Sequence, residues 1–439
     1  MKRQIHIRDG LRGDLRGRLR LGRECKRRAE RLEKAMNPPF ACLAICACIL
    51  TFAVAKSAQS YIVETTIPET AGCPASDRWN ASGAEPLQLQ WSTSLPYPPV
   101  LITTAANGTP QQISEIGAVV QASLGAWTGV ASMAVNPSVT PGIVSTVGQT
   151  SVQDACTNDA GTNVDGVNTV CFNQSSDAFT FGVIGFTRVV TANAAGVSVG
   201  GGAPAEFAGQ ILDSDTLFNN SGQVTFATPS ALATSPGAYD LESVLTHELG
   251  SYFGLDNSAV RRAIMYPFAP PPGTYIGNRP TATAPDGQLA DDDRTGLRVL
   301  YPDLADTTYV GTIRGQIVPA NPFALAIFPA TSPGAPVAGI FGTQVVAENQ
   351  DTGAIVAAAM GGWSCNPSNP VPQFDGSYRI DKLPVGANYK VYVEPLDGLA
   401  TGEDFYETSS GLCSASGSVA CTAPAVNTNF TTRVQPAAQ

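Results

Sequence analysis

Apolar side chains at Leu241, Val244, Leu245, Leu249 and Tyr252 recur at helical spacing behind Asp240, and Gly254 closes the run. That pattern predicts a core-facing helix with Asp240 as its N-cap and a glycine at its end. Upstream, Leu87, Leu89 and Trp91 alternate with Gln88 and Gln90, the two-residue period of a half-buried strand. Thr109-Pro110-Gln111-Gln112 combines a capping box with proline at the first helical position. Ile113, Ile116, Val120, Leu124 and Trp127 then form a helical stripe that reads as core packing. From Asp165 to Phe218 the texture changes to short β-rich segments, TVCFN, FGVIGFTRVV and ILDSDTLFN, separated by Gly, Asn and Ser. Beyond Pro302 helical periodicity disappears. TYVGTIRGQIV, GTQVVAENQ, AIVAAAMGG, DGSYRID and NYKVYVEP read as strands, broken at Asp351-Thr352-Gly353 and at Leu383-Pro384-Val385-Gly386. Within the last of them Tyr389, Val391 and Val393 face one way and Lys390, Tyr392 and Glu394 the other, so an antiparallel β-sandwich is expected.

Composition adds compartment and domain count. A chain of 439 residues can hold two or three domains with separate cores, and its few charged residues with plentiful Gly and Pro suit an exported, strand-rich protein. The net charge of −10 hides an asymmetry: residues 1–58 carry fourteen Lys or Arg against five Asp or Glu, leaving the remainder at −19. So acidic a body excludes nucleic acid as a partner. Phe40 to Ala55 is a sixteen-residue apolar run followed by Lys56 and small residues, too short for an ordinary membrane span and suited to a signal-peptide core. Ala53-Val54-Ala55 and Ala58-Gln59-Ser60 are candidate cleavage sites, and Met36 is an alternative start to Met1. The expectation is a secreted, extracellular protein with no membrane span after signal cleavage; an uncleaved anchor is the alternative. The boundaries that follow are a basic leader and signal peptide at 1–58, a linker or short pro-segment at 59–85, and folded domains at 86–303 and 304–439. Of ten cysteines, Cys73, Cys156, Cys171, Cys365, Cys413 and Cys421 lie beyond the leader, and none makes a C-x-x-C pair. Disulfides are therefore expected, with Cys156–Cys171 and Cys413–Cys421 the nearest pairs and the connectivity open.

Candidate chemistry concentrates on the predicted helix of residues 241–252. His247 and Glu248 are adjacent, and position 251, one turn on, shares the face of His247. In an H-E-x-x-H zinc protease the second histidine stands there, and a downstream glycine folds the chain back to deliver a third. Here Ser251 and Asn257 occupy those two positions, while Gly254 keeps the glycine and Met265 follows in AIMYP.

THELGSYFGLDNS followed by AIMYP resembles the active-site segment of the matrixin branch of the metzincin metalloproteases. The resemblance runs from about Pro86 to Pro302. It implies an α+β fold, a twisted mixed sheet with an active-site helix. It gives His247 the role of zinc ligand, Glu248 that of general base, Gly254 that of helix-ending turn and Met265 that of the methionine floor under the metal. It also implies that Asp215, Phe218 and Asn219 lie on the edge strand of the substrate cleft, where a peptide is held as an added strand. LADDDRTGLRVLYP resembles the family's closing helix through Asp292, Asp293 and Gly296, and Asp291 to Asp293 read as a charged helix N-terminus rather than a calcium cluster. Cys73 stands where matrixins carry an inhibitory pro-segment cysteine, but its AGCPAS setting points to a disulfide. The C-terminal segment is similar to carboxypeptidase regulatory-like domains through Gly311, Gly315, Gly353, Gly376, Tyr378, Leu383, Pro384 and Gly386, with Asp375 and Asp381 as turn residues.

The family implies zinc, yet HExxHxxGxxH has become HExxSxxGxxN, and the other histidine of the chain, His6, lies in the leader. Three functions follow from different classes. The first in order of expectation is a pseudoprotease that keeps a cleft for extracellular polypeptide. The second is a zinc endopeptidase with non-standard ligands, and the third an extracellular structural or adhesion protein.

Overall fold

The computed structural model describes residues 5–8, 56–57, 63–81, 88–92, 102–105, 110–133, 140–144, 166–172, 183–219, 224–319, 339–394 and 433–435, with short breaks inside some of these ranges. The apolar run Phe40 to Ala55 and the cysteines 156, 413 and 421 lie outside the described residues. Among the described residues no helix is long and apolar enough to cross a membrane.

The first half is built on a five-stranded sheet. Its strands are β1 (Gln88–Ser92), β2 (Thr140–Val144), β3 (Thr169–Cys171), β4 (Gly185–Thr191) and β5 (Ile211–Phe218), in the spatial order β2-β1-β3-β5-β4. All neighbours are parallel except β4, which runs antiparallel to β5 at one edge. The edge strand is thus β4. Asp215 and Phe218 belong to β5, one strand further in, and Asn219 follows it, which corrects the edge assignment made from sequence. The polar run Asp213 to Thr216 is buried, and part of its polarity is met by bonds to neighbouring segments. Asp215 Oδ1 accepts the Thr169 N–H at 2.8 Å, and the Ser214 N–H donates to Asn168 Oδ1 at 2.9 Å.

Two helices lie against this sheet as the periodicities predict: α1 (Pro110–Thr128) and α2 (Leu241–Tyr252). Ile116, Val119, Val120, Leu124 and Trp127 of α1 are buried, and its indole Nε1 donates to Thr246 O of α2 at 2.8 Å. Trp91, Trp127, Tyr252, Phe172, Phe218 and Phe253 fill the common core. Val63 and Trp79, from the segment assigned by sequence to a linker or pro-segment, belong to this same core. A short hairpin, Thr65–Thr66 with Ala75–Ser76, sits between them. Trp79 Nε1 donates to Tyr252 O at 2.8 Å, and Val63 bridges Leu255.

After α2 the chain forms a loop, then α3 (Asp291–Leu300), and then strands of three antiparallel sheets, the smallest pairing Ser364–Asn366 with Asn369–Gln373 and Lys56–Ser57 and the larger two sharing a core. One pairs β6 (Gly311–Pro319) with β9 (Ser377–Leu383), and Ile5–Arg8 lies on the other side of β6. The other has the order β8-β7-β10-β11, from β7 (Thr343–Asn349), β8 (Ile355–Gly361), β10 (Tyr389–Glu394) and β11 (Arg433–Gln435). Ile317, Val345, Ala347, Ala357, Tyr378, Ile380 and Val393 form a second core between them. Asp375 is a turn residue as expected, its Oδ1 accepting the Ser377 N–H at 3.0 Å. Asp381 is not: it lies inside β9, ion-paired with Arg379 at 2.6 Å. A disulfide joins Cys73, at the end of the N-terminal hairpin, to Cys365, across 292 positions of sequence. Cys171 is disulfide-bonded as well.

Candidate active site

Helix α2 is fixed at both ends by chemistry readable in its sequence. Asp240 caps it, accepting the Ser243 N–H at 2.8 Å, which satisfies one of the amides orphaned at a helix start. Arg279 pairs with Asp240 at 2.5 Å and with Glu242 at 3.2 Å, and Tyr275 OH donates to Glu242 Oε1 at 3.2 Å. Burial still raises the Glu242 pKa against the pull of that arginine. At the other end the Leu255 N–H reaches Gly250 O at 3.1 Å and the Gly254 N–H reaches Ser251 O at 2.8 Å, a Schellman closure. Gly254 adopts φ +91°, and a Cβ there would collide with the Asp77 carbonyl oxygen. Two independent constraints therefore demand glycine.

Ten of the twelve residues of α2 are buried; His247 and Ser251 are the half-buried pair, one turn apart on the same face. His247 Nδ1 lies 2.7 Å from Ile264 O. A carbonyl oxygen can only accept, so Nδ1 carries the proton and Nε2 keeps its lone pair. Ile264 is in turn held by Asp293. Its N–H donates to Asp293 Oδ2 at 2.9 Å, the Met265 N–H to Oδ1 at 3.2 Å, and the Ala290 N–H to Oδ2 at 2.8 Å. Met265 packs under α2 at Gly250, where a Cβ would meet its sulfur and the Trp127 ring. The methionine turn is thus pinned from above by glycine and from below by a carboxylate.

Glu248 points the other way, toward β4. Its Oε2 accepts from Thr187 Oγ1 at 2.9 Å, and a Cβ on Gly185 would come within 3.1 Å of its Oε1. Thr187 Oγ1 is also 2.9 Å from Glu248 O and 3.0 Å from Thr216 Oγ1, its cross-strand partner. One hydroxyl proton serves one acceptor at a time, and Thr216 can return its own proton to Thr187. Burial raises the Glu248 pKa, while His247 and the Thr187 hydrogen bond pull it down. Thr187 is a site residue that the sequence did not announce, since an isolated threonine in a β-rich run carries no signal of its partner.

Asn257 lies on the loop after α2, half-buried, its N–H held by Asp256 Oδ1 at 2.7 Å. Asp256, the acid nearest the third ligand position, is thereby engaged with the backbone of that loop. Among the described residues no group of three or more His, Cys, Asp or Glu side chains is placed to hold a metal ion.

A mixed sheet with one antiparallel edge, a His-Glu helix under that edge, a positive-φ glycine and a methionine turn agree with the fold that the resemblance to metzincins implies. Residues 184–302 match the matrixin family model. The chain is also 38% identical over 90 residues to Metalloendoproteinase 1 of Glycine max, a match covering 20% of this chain and 24% of that protein. The chain thus spans about a quarter of the length of the curated relative it matches. Residues 184–302 are therefore similar to a matrixin metallopeptidase domain.

That family implies zinc, and the donors around His247 do not fit it. Catalytic zinc takes three protein ligands from imidazole, thiolate or carboxylate. Ser251 offers a neutral hydroxyl and Asn257 a carboxamide, neither a usual zinc donor.

Proposed function

We propose that the protein is an exported relative of the matrixin-type metallopeptidases that holds extended polypeptide in its cleft without hydrolysing it. The observation that carries this reading is the donor set: His247 supplies one imidazole, and Ser251 and Asn257 stand at the positions of the other two. Glu248 has no work as a general base without an activated water. What remains usable is β4, every residue of which is partly exposed and which, among the described residues, pairs only with β5. Its open side offers main-chain donors and acceptors to an added strand, a mode of binding independent of metal.

Two features support the wider reading. The Cys73–Cys365 disulfide suits an oxidising, extracellular compartment, and the apolar run Phe40 to Ala55 suits export. Core packing of Val63 and Trp79 supports counting residues 63–81 with the peptidase-like domain rather than with a removable segment. The C-terminal sheets fit a carboxypeptidase regulatory-like sandwich used as an accessory.

Metal analysis of the purified protein tests this reading. No stoichiometric zinc is expected, and Ser251→His combined with Asn257→His is expected to create zinc binding. Stoichiometric zinc in the unaltered protein, with peptide cleavage lost in His247→Ala, would overturn it. That outcome would favour the second reading, an endopeptidase with non-standard ligands. Its one supporting observation is the Nδ1–H bond of His247 to a carbonyl, the second-shell arrangement of metal-bound imidazoles.

A further inference from the structure

We propose that the C-terminal sheets are an intramolecular brace for the loop Asp256–Met265, and that through this loop they fix the ring of His247. The proposal gives the C-terminal half a role beyond the peptide-binding reading above and does not depend on it.

The loop meets the C-terminal sheets at Ala259, Val260 and Ala263, while Arg261 and Arg262 between them are exposed. Val260 and Ala263 form one apolar cluster with Val346 of β7 and Ala358 of β8, and Ala290 and Tyr392 pack against it. Gln344 Nε2 donates to Ala259 O at 3.1 Å. A sheet edge explains the rest. β8 is the last strand of its sheet, so its outward amides and carbonyls lack a strand partner. Side chains of α3 supply one: the Ala358 N–H donates to Asp292 Oδ1 at 2.7 Å, and Thr295 Oγ1 donates to Val356 O at 3.3 Å.

Asp292 then passes the contact to the loop. Its second oxygen accepts the Ser258 hydroxyl at 2.5 Å, and Ser258 Oγ accepts the Val260 N–H at 3.0 Å. The Ser258 N–H donates to Met265 O at 2.7 Å, which closes the loop on itself one residue beyond Ile264. Ile264 O is the acceptor that sets the tautomer of His247. A path of hydrogen bonds joined by short stretches of backbone therefore runs from the β8 edge through Asp292, Ser258 and Met265 to Ile264 and the imidazole. The hairpin carrying Cys73 adds a covalent tie. Glu64 N–H bonds Gly254 O at 3.1 Å, so the same C-terminal half is anchored to the end of α2 through Cys365.

Histidine is scarce enough to read this directly. The chain has two, so nitrogen-15 labelling of histidine in the full-length protein, compared with His6→Ala, isolates the His247 ring. Spectra are taken with a chelator present, which separates the result from any question of zinc content. The unaltered protein is expected to show a single Nδ1-protonated ring and slow amide exchange at Ile264 and Met265. Ala358→Glu places a charge into the apolar cluster and opposite Asp292. It is expected to average the two tautomers and to speed exchange at those two amides by at least about tenfold, while β7 and β10 stay protected. Ser258→Ala cuts the path on the loop side with the sheets untouched and is expected to shift both readouts in the same direction by less. An unchanged ring and unchanged exchange in Ala358→Glu, with the Ala358 amide itself exposed, would overturn the proposal. If Ala358→Glu does not fold, an unchanged ring in Ser258→Ala overturns it equally.

Discussion

Thr187 Oγ1 stands 2.9 Å from Glu248 Oε2, so the carboxylate beside His247 is tied to the edge strand rather than left to the cleft. The contact joins two segments 61 residues apart and gives a buried carboxylate a donor it would otherwise lack. Removing that donor leaves an acceptor short of a partner in a dry place. Thr187→Val is therefore expected to destabilise the fold by about 1–3 kcal/mol, whereas Thr187→Ser retains the hydroxyl and most of the stability. Chemical denaturation of the two variants checks it. A loss in Thr187→Ser as large as that in Thr187→Val would show that keeping the hydroxyl does not protect the fold, so that the hydrogen bond is not what the site depends on.

Gly254 and Gly353 make a matched pair of tests. Both have positive φ, +91° and +70°, but a Cβ at Gly254 strikes the Asp77 carbonyl while one at Gly353 meets nothing within 4 Å. Backbone strain alone accounts for about 1 kcal/mol on replacing such a glycine by alanine. Gly353→Ala is expected to stay near that figure and Gly254→Ala to exceed it clearly, since the N-terminal hairpin must also move. Comparable midpoints for the two variants in urea would mean the hairpin yields without cost.

These residues also show what the sequence could and could not disclose. α2 was legible because cap, apolar period and terminal glycine agree over a dozen residues, and local chemistry is enough to decide each. The need for Gly254 was legible as a turn, but its second cause, the approach of Asp77, is a contact between remote segments that no local pattern carries. Asp215, Phe218 and Asn219 were placed on the edge strand by family resemblance alone, and the polar run Asp213 to Thr216 gives no local sign that β5 lies inside the sheet. The Asn168 side chain and the Thr169 N–H, at the start of the neighbouring strand, bond to Ser214 and Asp215, which only pairing reveals. Cys73 was expected to form a disulfide, yet nearness in sequence favoured local bridges, and spacing says nothing about a partner 292 residues away.

The disulfide itself carries a stability prediction. Cys73–Cys365 closes a loop spanning both halves of the chain, so its loss enlarges the freedom of the unfolded state far more than that of the fold. Cys73→Ser with Cys365→Ser is expected to cost about 2–5 kcal/mol. The comparison to make is denaturation of the double variant against the oxidised parent, with the reduced parent as control. If the reduced parent matches the oxidised one, the hairpin and interface contacts already hold the ends together and the bridge adds nothing.

The dependence of stability on pH follows from three buried carboxyls. Burial raises Asp77 to about 7, Asp292 to about 6 and Asp293 to about 7; for Asp293 the neighbouring Asp292 adds to it, against the pull of three backbone donors. In the unfolded chain each titrates near pH 4. A group raised on folding stabilises the fold in its protonated state, so this contribution is complete below about pH 4 and is lost as pH climbs through about 6 to 7. The thermal midpoint is therefore expected to fall between about pH 5 and about pH 8. Asp292→Asn tests the assignment, because its amide can accept from Ala358 and donate to Ser258 without ever ionising. It is expected to flatten the fall between those two pH values. A parent midpoint that instead rises over the same interval would mean the backbone donors win, and that the two aspartates work as carboxylates at the interface between α3, the loop and β8.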